Sequence, residues 1–357
     1  MALGLACAAL LAAACGTGAP ASKPAPSQAA APTPASTAAP AAAAVPSAPP
    51  APLHLRLAYT AISGAQLPIW VAADAGLFAQ NGLDADLSYI ATSQTAMGAL
   101  LGNEVDVLSG GAEAAIAVAV EGGDAVIVGD KLNKLVQAMY AAPSITDPAQ
   151  LRGKAVGVTR LTAISGTAAR YLLRSWGLEV DRDVTLLQTG GFPETVAALS
   201  AGGIDAAMLP PPQTLRAQDA GFVELANLWT APLDYTGSVI STLRPHTPEQ
   251  EELIRRVLRS VVESIHLIKT DRAQAIRSLQ AGTKTDDQRA LEEGYEVYAP
   301  LFERDLRISH DAVETALEEL ASRNPRAANT TPDSLIDARF VDEIRQSGLV
   351  ERLYGQQ

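Results

Sequence analysis

The residues best suited to chemistry in this sequence are small polar side chains that follow predicted strands. The pentapeptide Thr-Ala-Ile-Ser-Gly occurs twice, at 60–64 and 162–166, each time after a segment with strand-like alternation. Hydroxyl groups and the free N–H groups of a helix N-terminus suit anions and carbonyl-like acceptors. These positions therefore predict ligand binding, although Ser63 and Ser165 are equally suited to capping the helices that follow.

Two charged residues are predicted on loops of the same kind. Arg160 suits a sulfonate, carboxylate or phosphate, or else a salt bridge at the surface or between lobes. Glu113, which follows two glycines, suits an amine or a ring N–H, or else lies exposed or stabilises a helix N-terminus. The complete set of predicted ligand-binding residues is Ser63, Gly64, Gln66, Ser93, Gly111, Glu113, Arg160, Ser165, Gly166, Thr167, Gly191, Phe192 and Pro211.

Four aromatic residues are predicted near the same loops. One or two of them suit stacking on a planar ligand, and Trp70 is expected in the core because aromatic residues on helix faces usually pack inward. The four are Tyr59, Trp70, Phe192 and Tyr235.

Groups for covalent or acid–base catalysis are not apparent on these loops. The two cysteines, Cys7 and Cys15, both lie in the N-terminal apolar run. Neither a glycine-rich phosphate loop nor a cluster with metal-ligand spacing occurs. The sequence therefore favours binding over catalysis, with no cofactor and no metal. The four histidines, all away from the predicted loops, are His54, His246, His266 and His310.

The net charge of the chain argues against a nucleic-acid partner. The formal net charge is −12, and Lys23 is the single charged residue before position 53, so the remainder carries −13. A nucleic-acid-binding protein normally presents a basic face. The acidic excess instead favours solubility.

Strand and helix patterns alternate along the chain and predict an α/β fold. Leu55–Tyr59 and Lys154–Val158 begin two similar successions, in which Asp106 is the counterpart of Asp205. The pentapeptides are 102 residues apart and the aspartates 99, which indicates duplication. We expect two doubly wound, parallel-stranded lobes at 53–145 and 146–234 around a ligand cleft. Residues 235–357 return to the first lobe and add helices, with crossings near 141–147 and 230–237.

The N-terminus has the composition of an export signal. Residues 1–15 form an apolar run ending at Cys15, and the segment LLAAACG resembles a bacterial lipobox. That resemblance implies cleavage before Cys15 and a lipid on its sulfur; a plain secretory signal is the alternative. Residues 16–52 are rich in alanine and proline, which predicts a disordered tether.

Four segments carry a resemblance to one family. They are PIWVAADAGLFAQNGLDADL at 68–87, ALLGNEVDV at 99–107, LRGKAVGV at 151–158 and ALSAGGIDAAMLP at 198–210. The chain resembles the nitrate/sulfonate/taurine and thiamine-precursor class of ABC-transporter substrate-binding proteins, with a type II periplasmic-binding fold.

The resemblance implies an exported, lipid-anchored, monomeric protein that captures a small solute between its lobes and delivers it to a membrane permease. Sulfonate, nitrate and heteroaromatic vitamin precursors are the implied solutes. Two other classes stay open. One is an enzyme on the same fold, of the pyrimidine-synthase or menaquinone-pathway lyase type, and the other is an exported ligand sensor.

Overall fold

The computed structural model describes residues 51–355, which contain two five-stranded sheets flanked by helices. The predicted signal peptide with Cys15 and the predicted tether up to residue 50 lie outside the described residues. Within 51–355, no helix combines the length and the apolar composition needed to cross a bilayer.

The first sheet forms the centre of the first lobe. Its strands are β1 (Leu53–Tyr59), β2 (Leu83–Tyr89), β3 (Val107–Gly110), β4 (Ala125–Leu132) and β10 (Ser238–Leu243), in the spatial order β2-β1-β3-β10-β4. Every residue of β3 and β4 is buried, because helices cover both faces of the sheet.

The second sheet has the same layout. Its strands are β5 (Ala138–Ala141), β6 (Lys154–Val158), β7 (Val184–Gln188), β8 (Ala206–Leu209) and β9 (Val223–Asn227), in the spatial order β7-β6-β8-β5-β9. Read across the sheets, β1 corresponds to β6, β3 to β8, and β10 to β5.

Helices connect the strands and close the fold. The first lobe contains α1 (Leu67–Asp74), α2 (Leu77–Gln80), α3 (Ser93–Leu101) and α4 (Glu113–Val120). The second lobe contains α5 (Ile164–Ser175), α6 (Phe192–Ser200) and α7 (Gln213–Asp219). The C-terminal helices are α8 (Pro248–Thr270), α9 (Arg272–Thr283), α10 (Gln288–Leu301), α11 (His310–Ala321), α12 (Pro332–Leu335), α13 (Arg339–Gln346) and α14 (Leu349–Tyr354).

The two aspartates matched in the sequence make the same contacts in the two lobes. The carboxylate of Asp106 accepts a hydrogen bond from the backbone N–H of Arg56 in β1, at 2.9 Å. The carboxylate of Asp205 accepts one from the backbone N–H of Ala155 in β6, also at 2.9 Å. Each aspartate also pairs with a cation, Arg56 or Lys154. The two lobes therefore repeat one plan down to a side-chain contact.

Two details of the expected fold are corrected. Each sheet is mixed rather than wholly parallel, because β10 runs antiparallel to β3 and β4, and β5 runs antiparallel to β8 and β9. The first crossing occupies 133–137 rather than 141–147, since β5 already pairs in the second sheet. All four residues of β5 are buried, and the strand pairs with β8 and β9. It therefore belongs to the second sheet and not to the crossing.

The C-terminal helices pack mainly on the first lobe. Helix α8 buries a stripe that includes Val257, Val261 and Ile265, spaced four residues apart as one face of a helix requires. Helices α8 and α9 pack against α1, and α13 packs against β4. Helix α10 instead contacts α7 of the second lobe while Tyr298 packs on the first. The C-terminal region thus connects the two lobes as well as covering one.

The packing of α9 on α1 generates a test of this core. A Cβ at Gly282 would lie 2.2 Å from the Trp70 ring, which is 5% exposed. We expect Gly282→Ala to lower the free energy of unfolding by about 1–3 kcal/mol, because the indole must shift within a packed core. At Gly98, in α3, a Cβ meets nothing within 4 Å. Gly98→Ala should therefore raise stability by about 0.5–1 kcal/mol. Urea unfolding of both variants measures the difference, and equal effects would contradict the close packing.

Candidate functional site

A cleft lies between the two sheets, at the ends of their strands, with a volume of about 60 Å³. Both lobes, the first crossing and α10 contribute to its walls. Direct hydrogen bonds join the lobes beside it: Gln94 Nε2 donates to Thr162 O at 2.8 Å, and Gln213 Nε2 donates to Ile62 O at 2.7 Å. The lobes are therefore drawn together, and a ligand larger than the cleft requires them to separate.

Hydroxyl groups form the polar part of the wall contributed by the first lobe. Thr60 follows β1, and its Oγ1 lies 3.3 Å from Ser93 Oγ at the start of α3. Ser93 Oγ also accepts a hydrogen bond from the Gly111 N–H at 3.0 Å. These contacts hold three consecutive strand ends in one polar surface that faces the cleft.

Helix N-termini make up the wall contributed by the second lobe. Ala163 precedes α5 and Gly191 precedes α6, both residues line the cleft, and neither helix has a side-chain cap. The first N–H groups of a helix lack partners within it, so such ends favour anions and acceptor groups. Thr159 lines the same wall, where its N–H and its hydroxyl contact Ser165 Oγ at 2.9 and 2.8 Å.

The two pentapeptides do not occupy equivalent positions. The first begins directly after β1, and Ser63 precedes the 3₁₀ turn that leads into α1. The second begins four residues after β6, so Ser165 lies inside the first turn of α5 and is fully buried behind Thr159. The true counterpart of Thr60 is Thr159, the residue directly after β6. The repeated letters correctly indicated two similar loops but gave the wrong register between them.

The predicted site residues divide into four groups. Six of them line the cleft: Ser63, Gln66, Ser93, Gly111, Gly191 and Phe192. Four are buried behind its walls: Gly64, Pro211, Ser165 and Gly166. Glu113 and Thr167 line a second cavity instead. Arg160 is exposed and is not among the residues that line either cavity.

Close packing accounts for the position of two of the predicted glycines behind the cleft walls. A Cβ at Gly64 would lie 2.2 Å from the ring of Tyr298, and the N–H of Gly64 faces Pro211 O at 3.5 Å in the other lobe. A Cβ at Gly166 would lie 2.4 Å from Leu161 O. Both glycines allow chain segments to approach each other, which is a structural role.

Aromatic residues at the cleft differ from those expected. Phe192 lines it as predicted, together with Tyr89 and Tyr298, which the sequence did not single out. Trp70 is in the core, and Tyr59 packs edge-on against it at a ring-centroid distance of 6.0 Å. Tyr235 faces the second cavity. Tyr89 was missed because it ends a strand that reads as half-exposed, and Tyr298 because it comes from a distant C-terminal helix.

A buried lysine beneath the cleft is the main group that sequence reasoning missed. Lys131 is 0% exposed, and its Nζ donates to Ser109 Oγ at 2.6 Å, Ala65 O at 3.2 Å and Gln66 Oε1 at 3.3 Å. Ser109 Oγ in turn donates to Gln66 Oε1 at 2.7 Å. These three neutral acceptors match the three N–H groups of an ammonium.

The charge of Lys131 is not neutralised by an ion pair. Among residues 51–355, no carboxylate lies within salt-bridge distance of its Nζ. Burial lowers the pKa of Lys131 to about 7, and the neighbouring Asp130 opposes that effect. Burial likewise raises the pKa of Asp130 to about 7. Gln66 lines the cleft and Lys131 does not, so the ammonium lies behind the cleft wall.

The cleft offers little for acid–base or nucleophilic chemistry. Of the described residues that line it, Lys134, Tyr89 and Tyr298 are the ionisable ones, and none is an acid, a histidine or a cysteine. Lys134 Nζ is already bonded to Leu233 O and Asp234. The arrangement therefore suits recognition of a small polar ligand by neutral donors.

Comparisons with known proteins agree with this architecture. The model of the NMT1-like family matches residues 48–281, well over half of the chain. No curated protein sequence matches the chain. A solved structure from Bordetella bronchiseptica RB50 is 19% identical, with a TM-score of 0.74, over 82% of this chain and 97% of that chain.

Two further solved structures are similar over most of their length. The alkanesulfonate-binding protein SsuA from Xanthomonas axonopodis pv. citri, bound to MOPS, is 18% identical, with a TM-score of 0.66, over 79% of this chain and 96% of that chain. The periplasmic nitrate-binding protein NrtA from Synechocystis PCC 6803 is 14% identical, with a TM-score of 0.63, over 84% of this chain and 89% of that chain. These likenesses confirm the predicted two-lobed α/β periplasmic-binding fold.

Glu113 generates a test of the electrostatics next to the cleft. Burial raises the pKa of Glu113 from 4.5 to about 7, so between these pH values the folded state holds a proton that the unfolded state has released. The raised pKa contributes about 3 kcal/mol to the free energy of unfolding at pH values below 4.5. This contribution is lost as pH rises from 4.5 through 7.

Glu113→Gln cannot ionise. We therefore expect its free energy of unfolding to rise by about 3 kcal/mol, relative to that of the natural protein, when pH is raised from 4.5 to 8. Urea unfolding at the two pH values measures this gain. Glu104→Gln, at an exposed position, should show no such difference. A pH-independent effect of Glu113→Gln would contradict the raised pKa.

Proposed function

The chain belongs to the NMT1-like family, and on that premise we propose that it is the extracytoplasmic solute-binding protein of an ABC importer. Its two lobes capture a small solute and deliver it to a membrane permease. Ligand between the lobes favours the closed form, which is the form a permease distinguishes from the empty one. The protein works as a monomer, anchored by a lipid on Cys15.

One observation supports an anionic solute above all others, namely the buried Lys131 beneath a wall of neutral donors. The ammonium is held by Ser109, Ala65 and Gln66, and Gln66 also lines the cleft. An anion at Gln66 would compensate a charge that no carboxylate in the described chain pairs with. The uncapped N-termini of α5 and α6 add partial positive charge from the opposite lobe.

The ligands for which two structural neighbours are named are consistent with this solute class. SsuA is named for alkanesulfonate and NrtA for nitrate, and both of these ligands are anions. We propose a sulfonate or a nitrate-like anion, bound by Ser63, Gln66, Ser93, Gly111 and the backbone at Gly191. Phe192, Tyr89 and Tyr298 supply apolar surface for the body of an organic anion.

A planar vitamin precursor is the second candidate solute, because the same three aromatic rings line the cleft. An enzyme on this fold is the less favoured alternative. The residues that line the cleft among 51–355 include no histidine, cysteine or carboxylate to move a proton or form a covalent intermediate. Binding without turnover is the expected behaviour.

A ligand screen tests the proposed function. Purified protein is heated with nitrate, methanesulfonate, taurine, aliphatic carboxylates and pyrimidines, and its unfolding is followed. A ligand at about 100 times its Kd should stabilise the folded state by about 2.7 kcal/mol. The stabilising compound should be recovered unchanged after prolonged incubation. Conversion of the compound would show an enzyme, and stabilisation by pyrimidines alone would replace the anion with the second candidate.

Lys131→Met tests the origin of anion selectivity. Methionine fills similar space without charge, so we expect folding to be retained and the Kd for the stabilising anion to rise at least about tenfold, about 1.4 kcal/mol. Affinity for an uncharged analogue, such as methanesulfonamide beside methanesulfonate, should change little. Lys154→Met removes a half-exposed lysine that pairs with Asp205 away from the cleft, and is the matched control. Unchanged anion affinity in Lys131→Met would remove the charge argument while leaving the binding function standing.

A further inference from the structure

A second cavity of about 160 Å³ lies between the lobes, apart from the cleft already described. Helix α4 of the first lobe, the start of α5 in the second lobe and α11 form its walls. No residue lines both this cavity and the cleft among those the structure describes. We call it the Glu113 cavity, after the acid at its wall.

The carboxyl group of Glu113 makes no hydrogen bond of normal geometry in this cavity. Glu113 is the first residue of α4 and is 9% exposed, and both of its carboxyl oxygens are buried. Neither oxygen meets hydrogen-bond geometry with a group of residues 51–355. Its own backbone N–H and the Tyr235 hydroxyl lie near enough to oppose the rise in its pKa, but burial outweighs them. A buried carboxyl without partners is costly, and in a native structure such a group requires an explanation.

The other acid of the cavity is already paired. Glu319, on α11, binds Arg170 through one oxygen at 2.8 Å and Arg174 through the other at 2.7 Å. Arg323 also lines the cavity, but no hydrogen bond or ion pair joins it to Glu113 in the described chain. Glu113 is therefore the acceptor that stays available to a ligand.

The remaining walls define the body of that ligand. Ile116 and Ala117 of α4 face Ala316 and Leu320 of α11, so the middle of the cavity is apolar. The hydroxyl-bearing Tyr235 and Thr167 lie at one side. A ligand with a short apolar body and an N–H donor at one end fits this pattern.

We propose that the Glu113 cavity binds a small primary or secondary organic amine, whose ammonium pairs with the Glu113 carboxylate while its carbon chain lies between α4 and α11. The site shares no lining residue with the anion cleft among those described, although the Glu113 carboxyl lies against Gly111 of the cleft wall, and it does not depend on the function proposed for the cleft. Residues of both lobes line the cavity, so an amine in it contacts both lobes at once.

Calorimetric titration of the full chain with n-butylamine tests the site, with n-butanol and butyrate as probes of matched size. We expect butylamine to bind and the other two not to bind. Glu113→Gln should weaken amine binding at least tenfold, whereas Glu104→Gln, at an exposed position, should not change it. Equal binding of amine and alcohol, or equal affinity in Glu113→Gln, would overturn the proposal.

Ala117→Leu locates the amine. The larger side chain fills the apolar middle of the cavity, and amine binding should be lost while a bound anion in the cleft is retained. Retained amine binding in this variant would place the amine elsewhere and overturn the proposal. Urea unfolding of each variant shows that a loss of binding does not come from unfolding.

The pH dependence of the natural protein gives a measurement that needs no variant. Glu113 must be ionised to pair with an ammonium, and burial raises its pKa to about 7. The other groups that face it are Tyr235, Glu319, Arg170 and Arg323. The Kd for butylamine should therefore rise as pH falls below 7, approaching about tenfold per pH unit. A Kd that is constant from pH 5 to pH 8 would contradict the role of Glu113.

Discussion

The structure depends on two crossings of the chain between the lobes. The second sheet forms entirely from residues 138–227, between the crossings, with β5 placed between β8 and β9. The first sheet receives β10, between β3 and β4, only after the second crossing. The two crossings therefore run side by side and are bonded to each other, with Gly237 N–H donating to Leu132 O at 2.8 Å and Leu228 N–H donating to Gln137 O at 2.9 Å. This paired connection holds the strand ends of both sheets on the same cleft, and the first sheet is completed only when the chain returns from the second lobe.

Buried ionisable residues are concentrated beside these crossings. Lys131 and Asp130 lie at the end of β4, directly before the first crossing, and Glu113 lies at the start of α4. Placing ionisable groups in an apolar interior costs free energy and shifts their pKa values. Such groups cluster at functional sites more often than elsewhere. Lys131 lies behind Gln66 in the cleft wall and Glu113 lines a separate cavity, and we propose that these two regions bind ligands of opposite charge.

Local pattern predicted the loops well and individual contacts poorly. Ser63, Ser93 and Gly191 reach the cleft because each lies where a strand ends and a helix begins, a feature that the sequence displays directly. Lys131 was missed because it continues a buried strand, and its partners Gln66 and Ser109 are 65 and 22 residues away in the chain. Arg160 was selected for its charge and its loop, but its side chain is exposed. The direction of a side chain on a loop depends on neighbours that local pattern does not identify.

The sequence by itself determined that this is a duplicated α/β protein with polar loops at its strand ends and with no cysteine beyond Cys15. Periodicity, glycine turns and the repeated aspartate carry that information, because each is set by residues close together in the chain. Only the tertiary structure decided the register between the two loops, the insertion of β10 into the first sheet, and the burial of Lys131 and Glu113. These features depend on contacts between segments far apart in sequence, where the packing of one lobe against the other fixes which polar groups keep water and which lose it.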